Sequence, residues 1–168
     1  MKHIFYSTFV FSAFAVCIFG YSVHTTSAYN TTDQKTYELN NGSALFLIEY
    51  KFGHQNHEVE MPFKNVNADS KATDTLAYTI LDKEGHEITG KSSAIILSNS
   101  RLEKDRMYVT PKGIAKPFTL IVVFTPSASS TPDYRLQVTH LPFNFDGNQQ
   151  LELNPTELQY YTTPYTVF

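Results

Sequence analysis

His54, His57, Glu58 and Glu60 fall within seven residues, HQNHEVE, the densest group of metal-ligand side chains in the chain. Imidazole nitrogens and carboxylate oxygens are donor types that hold zinc and other transition ions. Their spacing limits what they can do. Residues three apart point to opposite faces of a strand, so His54 and His57 converge on an ion, with Glu58 beside them, only if residues 53–56 form a loop. The competing reading is a polar loop leading into a strand whose glutamates face water. That second reading is the expectation here, with no metal and no other cofactor.

Two further groups can be assembled on paper. Asp146 and Asn148 offer oxygen ligands to calcium, but a calcium loop gathers several carboxylates and this stretch supplies one aspartate before Glu152, so a turn is expected. His140, Asp133 and one of Ser127, Ser129 or Ser130 have the residue types of a hydrolytic triad. No GxSxG frames any of these serines. His140 shares strand parity with Tyr134, Leu136 and Val138, which places it at the margin of a core. No glycine-rich phosphate loop occurs, and nothing selects a pair of carboxylates for glycoside chemistry. No catalytic residue is therefore expected.

The 168 residues are 42% hydrophobic and 17% charged, which suits one compact domain with an accessory segment. A net charge of -3 without a basic cluster excludes the electrostatic footprint of a nucleic-acid binder. The first 28 residues read as an export signal. Lys2 and His3 precede an uncharged apolar run over residues 4–23, and Thr26-Ser27-Ala28 supplies a small-residue cleavage end. Residues 1–28 are expected to be a cleaved signal peptide or, failing cleavage, an N-terminal membrane-anchor helix, the run being long enough to span a bilayer. Positive charge on the N-terminal side directs the rest of the chain out of the cytoplasm. Cleavage removes Cys17, the only cysteine, and one of 13 basic residues but none of the 16 acids, moving the net charge from -3 to -4. The exported part then has no disulfide and no thiolate chemistry.

These side chains must be positioned by strands, because no helical stripe of useful length appears. After a polar arm over residues 29–43, ALFLIEYKF sets Phe46, Ile48, Tyr50 and Phe52 against Glu49 and Lys51, the two-residue period of a half-buried strand. HEVEMPF repeats the alternation, and Pro62, which lacks a donor, suggests an edge strand. Leu76, Tyr78 and Ile80 lead to a turn over residues 82–85 with glycine at its left-handed position, which predicts a hairpin. SAIILS is a further short strand. PFTLIVVF is apolar on both faces and is the candidate central strand. DYRLQVTHLPF alternates again, and Asp146-Gly147 turns the chain into QLEL. Seven or eight strands separated by turns predict an all-β domain over residues 44–158, built as a single antiparallel β-sandwich.

The late strands carry a resemblance. KPFTLIVVF, a serine-rich loop and DYRLQVTHL resemble the late strands of immunoglobulin-like sandwiches, and Tyr134 matches the tyrosine of the corner found there. The resemblance implies a structural role for Tyr134, whose hydroxyl would bond back to the backbone. The cysteine pair and core tryptophan of antibody domains are lacking, so the likeness is to the generic immunoglobulin-like architecture. YRLQVTHLPF is also similar to exported proteins of small-genome bacteria, a likeness that brings no activity with it.

The chain closes on an aromatic tail, residues 159–168, read as an edge strand. Its first part is expected to complete the domain's own core and the part after Pro164 to face a neighbour, with Tyr161, Tyr165 and Phe168 as interaction candidates. The functional expectation is a non-enzymatic, exported module that binds a protein or surface ligand, or assembles, at the cell surface or envelope. The alternatives are a structural subunit that polymerises by strand addition, giving homo-oligomers through edge strands, and an exported hydrolase or metal-dependent enzyme using His54 and His57. Membrane contact is expected only through an uncleaved N-terminal segment.

Overall fold

A computed structural model describes residues 33–39, 42–62, 66–68, 75–102, 107–128, 133–147 and 149–167. The expected signal or anchor segment, and Asn148, Ser129, Ser130 and Phe168, lie outside the described residues. The described chain is all-β apart from short helical turns. Its strands are β1 (Asp33–Glu38), β2 (Ala44–Phe52), β3 (Val59–Pro62), β4 (Val66–Ala68), β5 (Leu76–Asp82) and β6 (Gly90–Ser98), followed by β7 (Arg101–Leu102), β8 (Met107–Thr110), β9 (Lys116–Pro126), β10 (Tyr134–His140), β11 (Pro142–Phe145) and β12 (Gln149–Glu152). One helical turn, α1 (Pro155–Leu158), comes after them.

The strands form three sheets, in the orders β1-β2-β9-β6, β10-β5-β4 and β12-β11-β3-β8-β7. All pairings are antiparallel except β4 with β5, which is parallel. Twelve short strands among the described residues replace the seven or eight expected, because the chain changes sheets more often than its turn signals reveal.

The alternation read from sequence sets the core. Phe46, Ile48, Tyr50 and Phe52 of β2, and Phe118, Leu120, Val122 and Phe124 of β9, all point inward. They meet Leu76, Tyr78 and Ile80 of β5, Tyr134, Leu136 and Val138 of β10, and Met61 and Phe143 of the five-stranded sheet in one buried cluster. Aromatic edges join the sheets: Phe46 meets Tyr134 at 6.0 Å and Phe52 meets Phe143 at 5.0 Å between ring centroids. Such edge-on pairs contribute about 0.5–1.5 kcal/mol beyond the area they bury. β9 is central, as its apolar pattern predicts, between β2 and β6.

Three expectations change. The hairpin turn after β5 forms, with Gly85 in the left-handed region and the Ile88 amide donating to the Ile80 carbonyl. The returning chain nevertheless leaves β5 after Ile88 and joins β9 in the four-stranded sheet. Gly90 permits that crossing: a Cβ there would lie 2.4 Å from the Phe124 ring and from the Thr125 carbonyl oxygen. Strand β3 is not at an edge. It lies between β11 and β8, and Pro62 is tolerated because β11 pairs only with Val59 and Glu60, so no ladder bond is asked of it there. The expected polar arm is, from Asp33 to Glu38, strand β1 on the edge of the four-stranded sheet, paired along β2.

The tail is corrected after Pro164, where the part expected to face a neighbour is engaged within the chain. Asn154 caps α1 through a reciprocal capping box, its side chain accepting from the Glu157 amide while the Glu157 carboxylate accepts from its own amide. The chain then runs antiparallel along β10. Val138 N donates to Tyr161 O, Thr163 N to Leu136 O and Thr166 N to Tyr134 O, at 2.8–3.0 Å. Three tail residues thus span two of β10, a bulge that houses Pro164. The hydroxyls of Thr163 and Thr166 accept the Leu136 and Tyr134 amides at 3.0 and 2.9 Å, where a regular strand would offer carbonyls. On its other side the tail meets β1. Thr36 Oγ1 donates to Pro164 O at 2.7 Å, the Gln34 amide to Tyr160 O, and Val167 N to the Glu38 carboxylate.

Tyr161 is therefore not an interaction residue: its ring is 1% exposed and meets Tyr50 edge-on at 5.3 Å. Tyr165 is half-buried, under the Arg135 guanidinium at 4.8 Å, with its hydroxyl donating to Asp82 O at 3.3 Å. Removing residues 159–168 is expected to abolish the cooperative unfolding transition in urea, and Tyr161→Ala to cost about 3–5 kcal/mol in the same measurement. A truncated chain that keeps its cooperative transition would overturn this assignment of the tail to the core.

Candidate functional site

The HQNHEVE group does sit in a loop, between β2 and β3, against two other turns. Gly53 lets it approach, since a Cβ there would lie 2.2 Å from the Ile114 carbonyl oxygen in the turn between β8 and β9. In that turn Gly113 N donates to His54 O at 2.8 Å. The third component is the β11–β12 turn, where Asp146 and Gly147 both have positive φ, 50° and 70°. Asp146 is enough of a turn former to adopt this conformation, and its carboxylate is what ties the loops together. One oxygen meets His57 Nδ1 at 2.7 Å and the other accepts from Glu58 N at 2.9 Å. Its amide donates back to Glu58 O at 3.0 Å.

The rings of His54, His57 and Phe145 gather above this bridge. Centroids lie 4.8 Å apart for the two histidines and for His54 with Phe145, while His57 stacks on Phe145 at 5.1 Å. His54 Nδ1 accepts from the amides of Asn56 and His57, both at 3.2 Å. An acceptor nitrogen carries no proton, so the hydrogen of neutral His54 lies on Nε2. Burial, with His57 adding to it, holds the His54 imidazole below its ordinary range against the opposing pull of Asp146. The His57 hydrogen bond and the Glu58 amide, with the charges of His57 and Lys112, hold the Asp146 carboxyl below its own.

The loop condition for convergence is thus met, with Nδ1 of each histidine spent on structure. A metal on His54 Nε2 would drive its proton to Nδ1, facing two amide hydrogens. Among the described residues no group of three or more metal-ligating side chains gathers, and Glu58 meets Asp146 through its backbone. The triad of residue types is also dispersed. Asp133 precedes β10 and pairs with Lys83 at 2.7 Å, whereas His140 ends β10 and pairs with Glu152 at 2.8 Å. A seven-residue strand separates them by roughly 20 Å.

A second feature was only partly legible in the sequence. On the outward face of the four-stranded sheet, register aligns Tyr37, Leu45, Val123 and Ser93 in one row and Lys35, Leu47, Ile121 and Ile95 in the next, with Leu97 beside Thr119 and Glu49. Tyr37, Ile95, Leu97 and Val123 are 40–49% exposed, and Leu45, Leu47 and Ile121 are half-buried among them. The two-faced apolarity of PFTLIVVF was the signal. Pairing with β2 and β6 turns it from a central strand's pattern into a continuous patch. Asp33, Lys35, Glu49, Lys51 and Lys91 border it.

Tyr134 is buried, and its hydroxyl does not donate to backbone a few residues upstream as a tyrosine corner would. Its hydroxyl donates to Gly42 O at 2.6 Å, 92 residues earlier, at the entry to β2. Burial, with Glu38 adding, pushes it up to about 12. No protein-family model, curated protein or solved structure matches the chain.

Asp146→Asn isolates the charge of the loop bridge, because asparagine also accepts a positive φ. A carboxylate with a lowered folded value stabilises above its unfolded value and loses that contribution as pH falls through the folded one. Denaturation midpoints between about pH 5 and about pH 2 should accordingly fall less steeply in Asp146→Asn than in the parent chain. For Tyr134→Phe, loss of the bond to Gly42 should cost about 1–2 kcal/mol in urea unfolding with the fold retained by circular dichroism.

Proposed function

We propose that this chain is an exported, non-enzymatic β-sandwich of immunoglobulin-like type that acts as a binding module at the cell surface or envelope, using the outward face of the β1-β2-β9-β6 sheet. The observation that carries this reading is the contiguous patch of Tyr37, Ile95, Leu97 and Val123 with Leu45, Leu47 and Ile121 between them. Exposed apolar residues scattered singly need no explanation, whereas a contiguous patch rimmed by charges marks an interaction surface. Export is supported by the leader-like residues 1–28.

Assembly by donation of the C-terminal strand finds less support. The tail's amides and carbonyls are engaged by β10 on one side and by β1 side chains on the other. An enzymatic reading is weakened by the separation of Asp133 from His140 and by the structural duties of the His54 and His57 nitrogens.

The test pairs Ile95→Lys with Leu97→Glu in one chain. Both positions are solvent-exposed, so stability should change by less than about 1 kcal/mol. Capture of partners from intact envelopes by the domain should fall at least about tenfold, a loss of about 1.4 kcal/mol in binding. Capture of the same partners at the same yield by the double variant would sink the assignment of this face.

A further inference from the structure

We propose that the loop between β2 and β3 is an acid-released latch, in which protonation of His54 frees residues 54–56 from the neighbouring turn and withdraws the His54 ring from Phe145. The geometry is that of a loop held by an acceptor that a proton can occupy. His54 Nδ1 takes the amides of Asn56 and His57, curling the loop back on itself, and that curl presents His54 O to Gly113 N and the His54 ring to Phe145. A proton on Nδ1 turns the acceptor into a donor facing two other donors. The ring must then rotate away, and the contacts organised by the curl go with it.

The charged and titratable groups around His54 define what moves. From its own loop come His57, with ring centroids 4.8 Å away, and Glu58; from the β11–β12 turn comes Asp146. Glu60 of β3 approaches that turn at Gly147, and Lys112 of the β8–β9 turn acts on Asp146. His57 and Glu58 are held from the opposite side, by the Asp146 carboxylate, which meets His57 Nδ1 at 2.7 Å and accepts from Glu58 N at 2.9 Å. The hinge therefore falls at His57 and Glu58, which stay on Asp146, while residues 54–56 are the moving part. The lowered value of His54 sets the sign: the folded loop contributes stability above the ordinary histidine value and loses it as pH falls from there through the folded value.

Amide hydrogen exchange of the full chain, compared at about pH 7.5 and about pH 5 after correction for intrinsic rates, tests the latch. Protection of Asn56, His57 and Gly113 should drop at least about tenfold at the lower pH while the amides of β2 and β9 keep theirs. His54→Asn places an oxygen where Nδ1 stands and cannot titrate, so the pH response should vanish; His57→Gln should keep it. Unchanged protection in the parent chain, or an equal response in His54→Asn, overturns the proposal. If His54→Asn does not fold by circular dichroism, a titration of the parent chain monitored by nuclear magnetic resonance decides. The Asn56 and His57 amide shifts should track the His54 ring, and shifts that instead track a carboxylate midpoint overturn it.

Discussion

Everything in this fold depends on closing the seam between β1 and β10, the facing edges of two different sheets. Sheet edges expose rows of unpaired amides and carbonyls, and a seam between two of them opens the core beneath to water. Residues 159–167 close it from both sides at once, with backbone bonds to Tyr134, Leu136 and Val138 and side-chain bonds from Gln34, Thr36 and Glu38. Threonine is well suited to that position because its hydroxyl both donates and accepts. Thr163 and Thr166 supply acceptors to β10 where the bulge around Pro164 takes the backbone out of register.

The seam also fixes the aromatic interior. Tyr161 enters the core from the tail and meets Tyr50, which stacks on Phe118, which in turn meets Tyr108 edge-on. Burial raises the hydroxyls of Tyr50 and Tyr161 well above the ordinary tyrosine value, so both stay neutral. At the other end of the inner face, Tyr134 links Phe46 and Phe124 and anchors the start of β2 through Gly42. A domain without cysteine thus holds its sheets together through rings whose polar ends reach the backbone or stay protonated.

The pole formed by the β2–β3 loop shows how residues with the types needed for chemistry are consumed by architecture. His54 and His57 converge, and each spends Nδ1 on holding a loop. Asp146 organises two turns with one carboxylate. The outward face of the four-stranded sheet has the reverse character. Among the described residues Tyr37, Ile95, Leu97 and Val123 stay exposed there.

By itself the sequence determined the inward faces. The two-residue alternations in ALFLIEYKF, TLAYTIL and DYRLQVTHL named most buried residues of β2, β5 and β10, because burial acts on each side chain through local parity. It also placed the Asp146-Gly147 turn, where φ preferences are a local property. Tertiary structure alone decided which strands became neighbours. Strand β1 is polar and exposed, so its pairing rests on backbone bonds that leave no mark in side-chain pattern. The change of sheet at Gly90 depends on the Phe124 ring 34 residues away, and the union of His57 with Asp146 spans 89 residues. The tail read as an edge from its proline and its two apolar faces. Only the positions of β1 and β10 made that edge a closure, because a hydrogen-bonding row is free or satisfied according to what lies opposite it.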